Sequence, residues 1–178
     1  MTLINIDVNN FSVNPIHLLK NKGMLLTAGD LKKQSFNTMT IGWGSFGLMW
    51  NKPFIQVVVR PTRYTQSFME EYDTFTVCAF PAQYRDALQL LGSKSGRDGN
   101  KIAEAGLHPI ASAQIPAPAF AEAELILECK KIYWQDFNPA HFIDSRIQKN
   151  YPMNDYHRVY FGEILGIIGN ESYSQKPG

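Results

Sequence analysis

The chain has 178 residues, enough for one domain with a substantial core, and its 44% hydrophobic and 19% charged residues are ordinary globular material. Seventeen basic against sixteen acidic side chains leave a net charge of +1 with no concentrated basic stripe, which argues against a nucleic-acid partner. No apolar run approaches the ~20 residues of a spanning helix, and Met1-Thr2-Leu3-Ile4-Asn5-Ile6-Asp7 has neither region of a signal peptide, so a cytoplasmic protein with no membrane association is expected.

No repeat or low-complexity linker divides the chain, so a single domain over residues 1–178 is predicted, with its core at about 20–168. Asn14-Pro15 has the cap-then-proline pattern of a helix start and leads into residues 16–20. Runs rich in Val, Ile, Thr and aromatics, bounded by Gly, Pro or Asn, predict strands near 24–28, 36–43, 54–60 and 74–80. Two longer strands are predicted near 123–134 and 157–168. Between them Thr65 is positioned to cap a helix over 66–72. Pro81 opens a longer helix through Leu91, on which Tyr84, Ala87, Leu88 and Leu91 share a stripe and Gly92 supplies the end. Residues 101–105 predict a last short helix closed by Gly106, and the polar tail 171–178 is expected to fray. Ile115-Pro116-Ala117-Pro118-Ala119 reads as an extended connector. Strands separated by looped or helical insertions point to a mainly β fold, an antiparallel barrel with a few short peripheral helices. Cys78 and Cys129 lie in strand-like apolar runs and read as reduced core residues.

One strand is unusual. In Phe36-Asn37-Thr38-Met39-Thr40-Ile41-Gly42-Trp43-Gly44 the period of two puts Asn37, Met39, Ile41 and Trp43 on one side and Thr38 and Thr40 on the other. An amide and two hydroxyls among apolar neighbours need partners, from the protein or from a polar ligand. An indole beside an amide suits a planar heteroaromatic ligand rimmed with carbonyls and ring nitrogens. The alternative is an irregular barrel strand with a structural tryptophan.

Gly42-Trp43-Gly44-Ser45-Phe46-Gly47 matches G-x-G-x-x-G, but its context fails. A dinucleotide fingerprint needs a helix to open at the third glycine. Here Leu48 to Lys52 lead through Pro53 into the next strand, leaving room only for a loop, and that strand ends Val59-Arg60-Pro61 with no acidic residue. Two other segments suit an anion. Arg60-Pro61-Thr62-Arg63-Tyr64-Thr65 brings two guanidinium groups and hydroxyls to a helix start. Its alternative reading is a capping Thr65 with solvated arginines. Ser93-Lys94-Ser95-Gly96-Arg97-Asp98-Gly99-Asn100-Lys101 has glycines that let backbone N–H groups converge, and Lys101 sits at a helix start where an anion would offset its charge.

The four histidines show no metal-ligand spacing, and no paired Cys/His pattern or G-x-S-x-G is present, so neither a metal site nor a catalytic side chain is predicted. His141 and His157 read as structural or hydrogen-bonding. Chemistry, if any, belongs to a cofactor.

Four pieces in order carry a resemblance: Asn37-Thr38-Met39-Thr40 with Trp43; residues 54–60 running into Arg63-Tyr64-Thr65; Ser95-Gly96-Arg97-Asp98 with Lys101; and His157-Arg158-Val159-Tyr160-Phe161-Gly162-Glu163-Ile164. Together they resemble the flavin reductase-like family, whose fold is the FMN-binding split barrel, an antiparallel Greek-key barrel also seen in flavoredoxins. The resemblance implies a homodimer with FMN near the subunit interface and NAD(P)H as co-substrate. It places Asn37, Thr38, Met39, Thr40 and Trp43 against the flavin and its ribityl chain, and Arg63, Thr65, Ser95, Arg97 and Lys101 at the phosphate. His141 is a further candidate for reaching the ring, including from the partner subunit, while the role of His157 stays open. Residues 133–156 are longer and more aromatic than the family pattern, and a cover over the flavin there would bear on NAD(P)H access.

The resemblance implies an FMN-dependent oxidoreductase in which the flavin accepts hydride and passes electrons to a bound acceptor or leaves, reduced, for a monooxygenase. Two other readings stay open: an electron-transfer flavoprotein of flavoredoxin type without its own NAD(P)H site, and a β-barrel binding module with no redox role.

Overall fold

A computed structural model describes residues 2–175. Ten strands form: β1 Ile4–Asn5, β2 Met24–Asp30, β3 Ser35–Ile41, β4 Gly44–Met49, β5 Lys52–Val59, β6 Thr74–Ala79, β7 Pro109–Ile110, β8 Ala119–Phe120, β9 Leu125–Asp136 and β10 Arg158–Gly169. Three helices, α1 Tyr64–Glu71, α2 Arg85–Ser93 and α3 Lys101–Glu104, lie between them.

The principal sheet is antiparallel, in the order β3-β2-β6-β9-β10-β5-β4, with β1 paired to β10. Its edge strands β3 and β4 are joined by Gly42 and Trp43 alone. A two-residue link cannot span a flat sheet of seven strands, so the sheet curls until its edges meet. The result is a barrel left split along one seam, with Trp43 at the seam.

Alternation along the strands sorts apolar side chains into two cores. Leu26, Ala28, Val77, Ala79, Leu125 and Leu127 join Val57, Val59 and Phe75 in the core enclosed by the sheet. Their neighbours Leu25, Cys78 and Ile126 face outward, under Leu88 and Leu91 of α2 and under Leu107 and Phe120. Strands buried on both faces read as continuous apolar runs, which is why β2, β6 and β9 were legible in the sequence. Both cysteines are free and buried, as expected.

Several expectations are corrected. The stretch 48–52, expected as a loop, is a hairpin: Leu48 and Met49 end the strand β4, which pairs with β5 through a turn at Trp50 and Asn51, both with positive φ (54° and 56°). That is the backbone of a tight hairpin turn, normally announced by Asn-Gly. Here it is disguised by a tryptophan whose ring packs toward Tyr133 and Phe161. Gly92 does not end α2 in a left-handed residue; it lies inside the helix, where a β-carbon would stand 3.1 Å from Thr40 Cβ. A turn of 3-10 helix, Ala82–Tyr84, precedes α2. The first helical segment follows Asn14 as expected, with Asn14 Oδ1 accepting from His17 N at 3.0 Å, but it winds as a π-helix, His17–Lys22. The tail is anchored through Tyr173, which is buried and donates to Glu124 Oε1 at 2.7 Å; residues 176–178 of the predicted frayed tail lie outside the described residues. Among the described residues, no helix is long and apolar enough to cross a membrane and no cluster of metal ligands occurs.

Candidate functional site

Two adjoining cavities lie along β3, one of them reaching Trp43 at the seam. The larger, about 190 Å³, is lined by Met39 to Trp43, Val58, Arg60, Arg63 and His157. The smaller, about 70 Å³, is lined by residues from the end of β3, the start of α1 and the 91–101 segment, among them Asn37, Thr65, Ser95 and Lys101. Met39 and Arg63 line both, so the two form one continuous site.

At the wide end Trp43 is half exposed, and its ring lies 5.2 Å from that of His157. His157 is 8% exposed, and its Nδ1 is hydrogen-bonded to the Tyr151 hydroxyl at 2.8 Å. Burial, then the charge of Arg60, pull its pKa down to about 4, so the imidazole is neutral at physiological pH. Arg60 itself is tied outward: it donates to Asp155 Oδ2 and to the Asn150 carbonyl, each at 2.8 Å, and lies over the Tyr151 ring. These contacts fasten the segment 137–156 to the rim of the wide cavity.

At the narrow end the Asn37 carboxamide donates to Thr65 Oγ1 at 2.7 Å. Thr65 therefore does not cap α1; Arg63 is the N-cap residue, without a side-chain cap bond, and Thr65 sits buried in the first turn. Gly96 packs directly on the Asn37 amide oxygen, where a β-carbon would collide with it. Ser95 Oγ accepts from Arg97 N at 3.2 Å and shapes the turn beyond. Lys101, 4% exposed, donates to the carbonyls of Leu91 (2.9 Å) and Lys94 (3.0 Å). Burial and the neighbouring Arg63 charge bring its pKa down to about 8.

Asn37, Met39, Thr40, Trp43, Arg63, Thr65, Ser95 and Lys101 are thus brought together by the fold, although β3 ends at Ile41 and Trp43 belongs to the link rather than to the strand. Three other predicted residues are not. Thr38 turns to the interior, accepting from Thr27 Oγ1 at 2.9 Å and donating to Leu26 O at 3.1 Å. Arg97 lies over the Tyr64 ring, 4.7 Å from its centre, outside both cavities. His141 is exposed on the turn Pro139–His141 and reaches neither. Arg60 and His157 line the site although the sequence reading assigned them no place at the ring. The first stood in a basic segment suited to an anion, and the second opened one of the four motifs that carry the resemblance, with its role left open.

The donor set fits a flavin mononucleotide. A partly apolar opening with an indole and a neutral imidazole leads to a narrow end with an amide, hydroxyls and cations, matching a ring system that ends in a phosphate.

No curated protein is detectably similar to the sequence. Solved structures are similar in fold. An FMN-binding domain of a flavin reductases-like enzyme from Shewanella baltica superposes with a TM-score of 0.70 at 19% identity, over 98% of this chain and 83% of that one. A flavoredoxin from Methanosarcina acetivorans gives 0.67 at 22%, over 94% and 80%. An NADH:FAD oxidoreductase from Streptomyces globisporus gives 0.62 at 15%, over 82% and 74%. The flavin reductase like domain matches residues 17–176. With the split barrel in place and nearly its whole length matched, the chain belongs to the flavin reductase-like family.

Proposed function

We propose that the protein is an FMN-dependent oxidoreductase that takes hydride from NAD(P)H and delivers electrons to an acceptor or, as reduced flavin, to a monooxygenase. The observation that carries this reading is the paired cavity, wide at Trp43 and His157 and narrow at Thr65, Ser95 and Lys101, with Met39 and Arg63 shared between its ends. FMN, when bound, supplies the two-electron chemistry.

The chain's own residues position and select. Asn37, Met39, Thr40 and Trp43 would hold the ring and ribityl chain. Thr65, having accepted from Asn37, keeps a hydroxyl proton to donate toward the phosphate, and Ser95 and Arg63 flank the same end. His157, neutral and fixed by Tyr151, would offer a polar edge beside Trp43 without adding charge to a rim that already carries two arginines. Thr38 would act by fixing β3 to β2, and Arg97 by shaping the 95–98 turn.

A homodimer accompanies this reading. Leu48, Met49, Trp50, Tyr133 and Trp134 are large, apolar and exposed, and Trp50 packs toward Tyr133 to join the β4–β5 hairpin to the end of β9. Aromatic surface of this kind favours a second copy, from which His141 would approach the ring.

A flavoredoxin-type electron carrier is the second reading, favoured by the segment 137–156 fastened at the rim by Arg60. The absorption spectrum of purified protein decides. FMN binding followed by anaerobic bleaching with NADH or NADPH is expected. A bound flavin that neither nucleotide bleaches indicates the carrier, and a protein that binds no FMN overturns both. Riboflavin should bind at least about tenfold more weakly than FMN, since charge-assisted contacts contribute about 1.5–3 kcal/mol each.

A further inference from the structure

The narrow end of the site is built against the unfavourable end of a helix. Leu91, Ser93 and Lys94, from the last turn of α2 and its C-cap, form one wall of the narrow cavity. A helix C-terminus presents unpaired carbonyl oxygens and the negative end of the macrodipole. Left bare, such a wall repels an anion.

It is not bare. Thr40 Oγ1 donates to Leu88 O, Lys101 Nζ donates to Leu91 O and Lys94 O, and Arg63 Nη1 donates to Gly92 O at 3.1 Å. Two further carbonyls near the helix end are met locally, Leu90 O by Lys94 N at 2.9 Å and Gln89 O by Ser93 Oγ at 2.9 Å. Gly92, lacking a β-carbon, lets Thr40 close on the helix. The donors therefore come from three separate parts of the site, the strand β3, the entry to α1 and the start of α3.

Lys101 is central to this arrangement. An ammonium has three N–H donors and no acceptor; two are already spent on carbonyls, so at most one remains for a ligand. The sequence pattern suggested that Lys101, misplaced at the start of α3, waits for an anion. Its charge is instead placed against the C-terminus of α2. The other charged groups around it are Arg63, which lies close enough to lower its pKa, and the Lys94–Glu104 pair at 2.6 Å.

We infer that Lys101 is a positioning residue: it caps the last turn of α2 and cancels its carbonyl charge, turning a helix C-terminus into a wall against which a phosphate can rest. The identity of that anion rests on the FMN reading; the cap does not.

The two are separated by hydrogen exchange on the ligand-free protein, read over residues 88–97, alongside titrations with FMN and riboflavin. Lys101→Met removes both carbonyl contacts and should speed exchange in that segment by at least about tenfold without any ligand, the factor expected for loss of even one charge-assisted bond. FMN affinity should fall with it, and riboflavin affinity should change little. Lys101→Gln and Lys101→Arg cover the case of a variant that fails to fold: protection should rank wild type, Arg, Gln, Met. Unchanged exchange with lost FMN affinity makes Lys101 a direct phosphate contact and overturns the inference, as does unchanged exchange with unchanged affinity. Faster exchange in a protein that binds no flavin leaves the cap standing and removes the FMN reading.

Discussion

The Asn37 carboxamide and the Thr65 hydroxyl, 28 residues apart in sequence, meet at 2.7 Å and tie the edge strand β3 to the first turn of α1. Both are buried, so each is the other's substitute for water. Thr65→Val keeps the shape and removes the acceptor, leaving a buried amide N–H without its partner. The expected cost is about 1–3 kcal/mol of unfolding free energy, read from urea denaturation, together with weaker FMN binding. A variant as stable as wild type would mean that the carboxamide finds another partner.

Gly96 allows the 95–98 turn to lie on Asn37. A β-carbon at Gly96 would collide with the Asn37 amide oxygen and press on the Tyr64 ring. Gly96→Ala should therefore push the turn away from the narrow cavity and weaken FMN binding by roughly tenfold or more, with overpacking costing about 1–3 kcal/mol of stability. Isothermal titration with FMN checks the first effect and thermal melting the second.

His157 makes stability fall in acid. Its folded pKa, held down to about 4 by burial and then by Arg60, lies below the 6.5 of a free imidazole, with Arg63 adding to the depression and Asp155 opposing it. As pH falls, the unfolded chain takes up the proton first, so the contribution is complete above about pH 6.5 and is lost progressively toward pH 4. At pH 4.5 the loss should be on the order of 2 kcal/mol relative to pH 7.5. Urea midpoints of wild type and His157→Gln at the two pH values test this. The gap between pH values should narrow in the variant, and an equal gap in both proteins would assign the acid sensitivity elsewhere.

Trp50 offers a test of the proposed dimer. It is exposed at the tip of the β4–β5 hairpin, on a left-handed residue. Aspartate tolerates that backbone conformation, so Trp50→Asp should keep the hairpin while placing a charge in the apolar patch. Light scattering should then give a monomer where wild type gives a dimer. A dimer that survives the substitution places the interface on another surface.

Much of the architecture was legible along the chain: β2, β6 and the first half of β9 are buried on both faces and read as apolar runs, and β5 and β10 carry stretches rich in Val, Ile and aromatics. Strand β4 was not. Its two glycines and its Trp50-Asn51 turn carry none of the usual hairpin chemistry, and only pairing with β5 makes it a strand. The residues of the site were mostly visible as types: an amide and hydroxyls on an apolar strand, arginines before a helix, a basic glycine loop. Their partners were decided by the tertiary structure. Periodicity can say that Thr38 and Thr40 share a face, but only the packing of β2 and α2 sends one to Thr27 and the other to the cavity rim. Thr65 stands where a cap belongs and is drawn instead to Asn37. Lys101 stands at the positive end of its own helix and finds its partners at the carbonyl end of another. Hydrogen-bond partners far apart in sequence are set by how the sheet curls, and that curl follows from two residues, Gly42 and Trp43, which bridge its opposite edges.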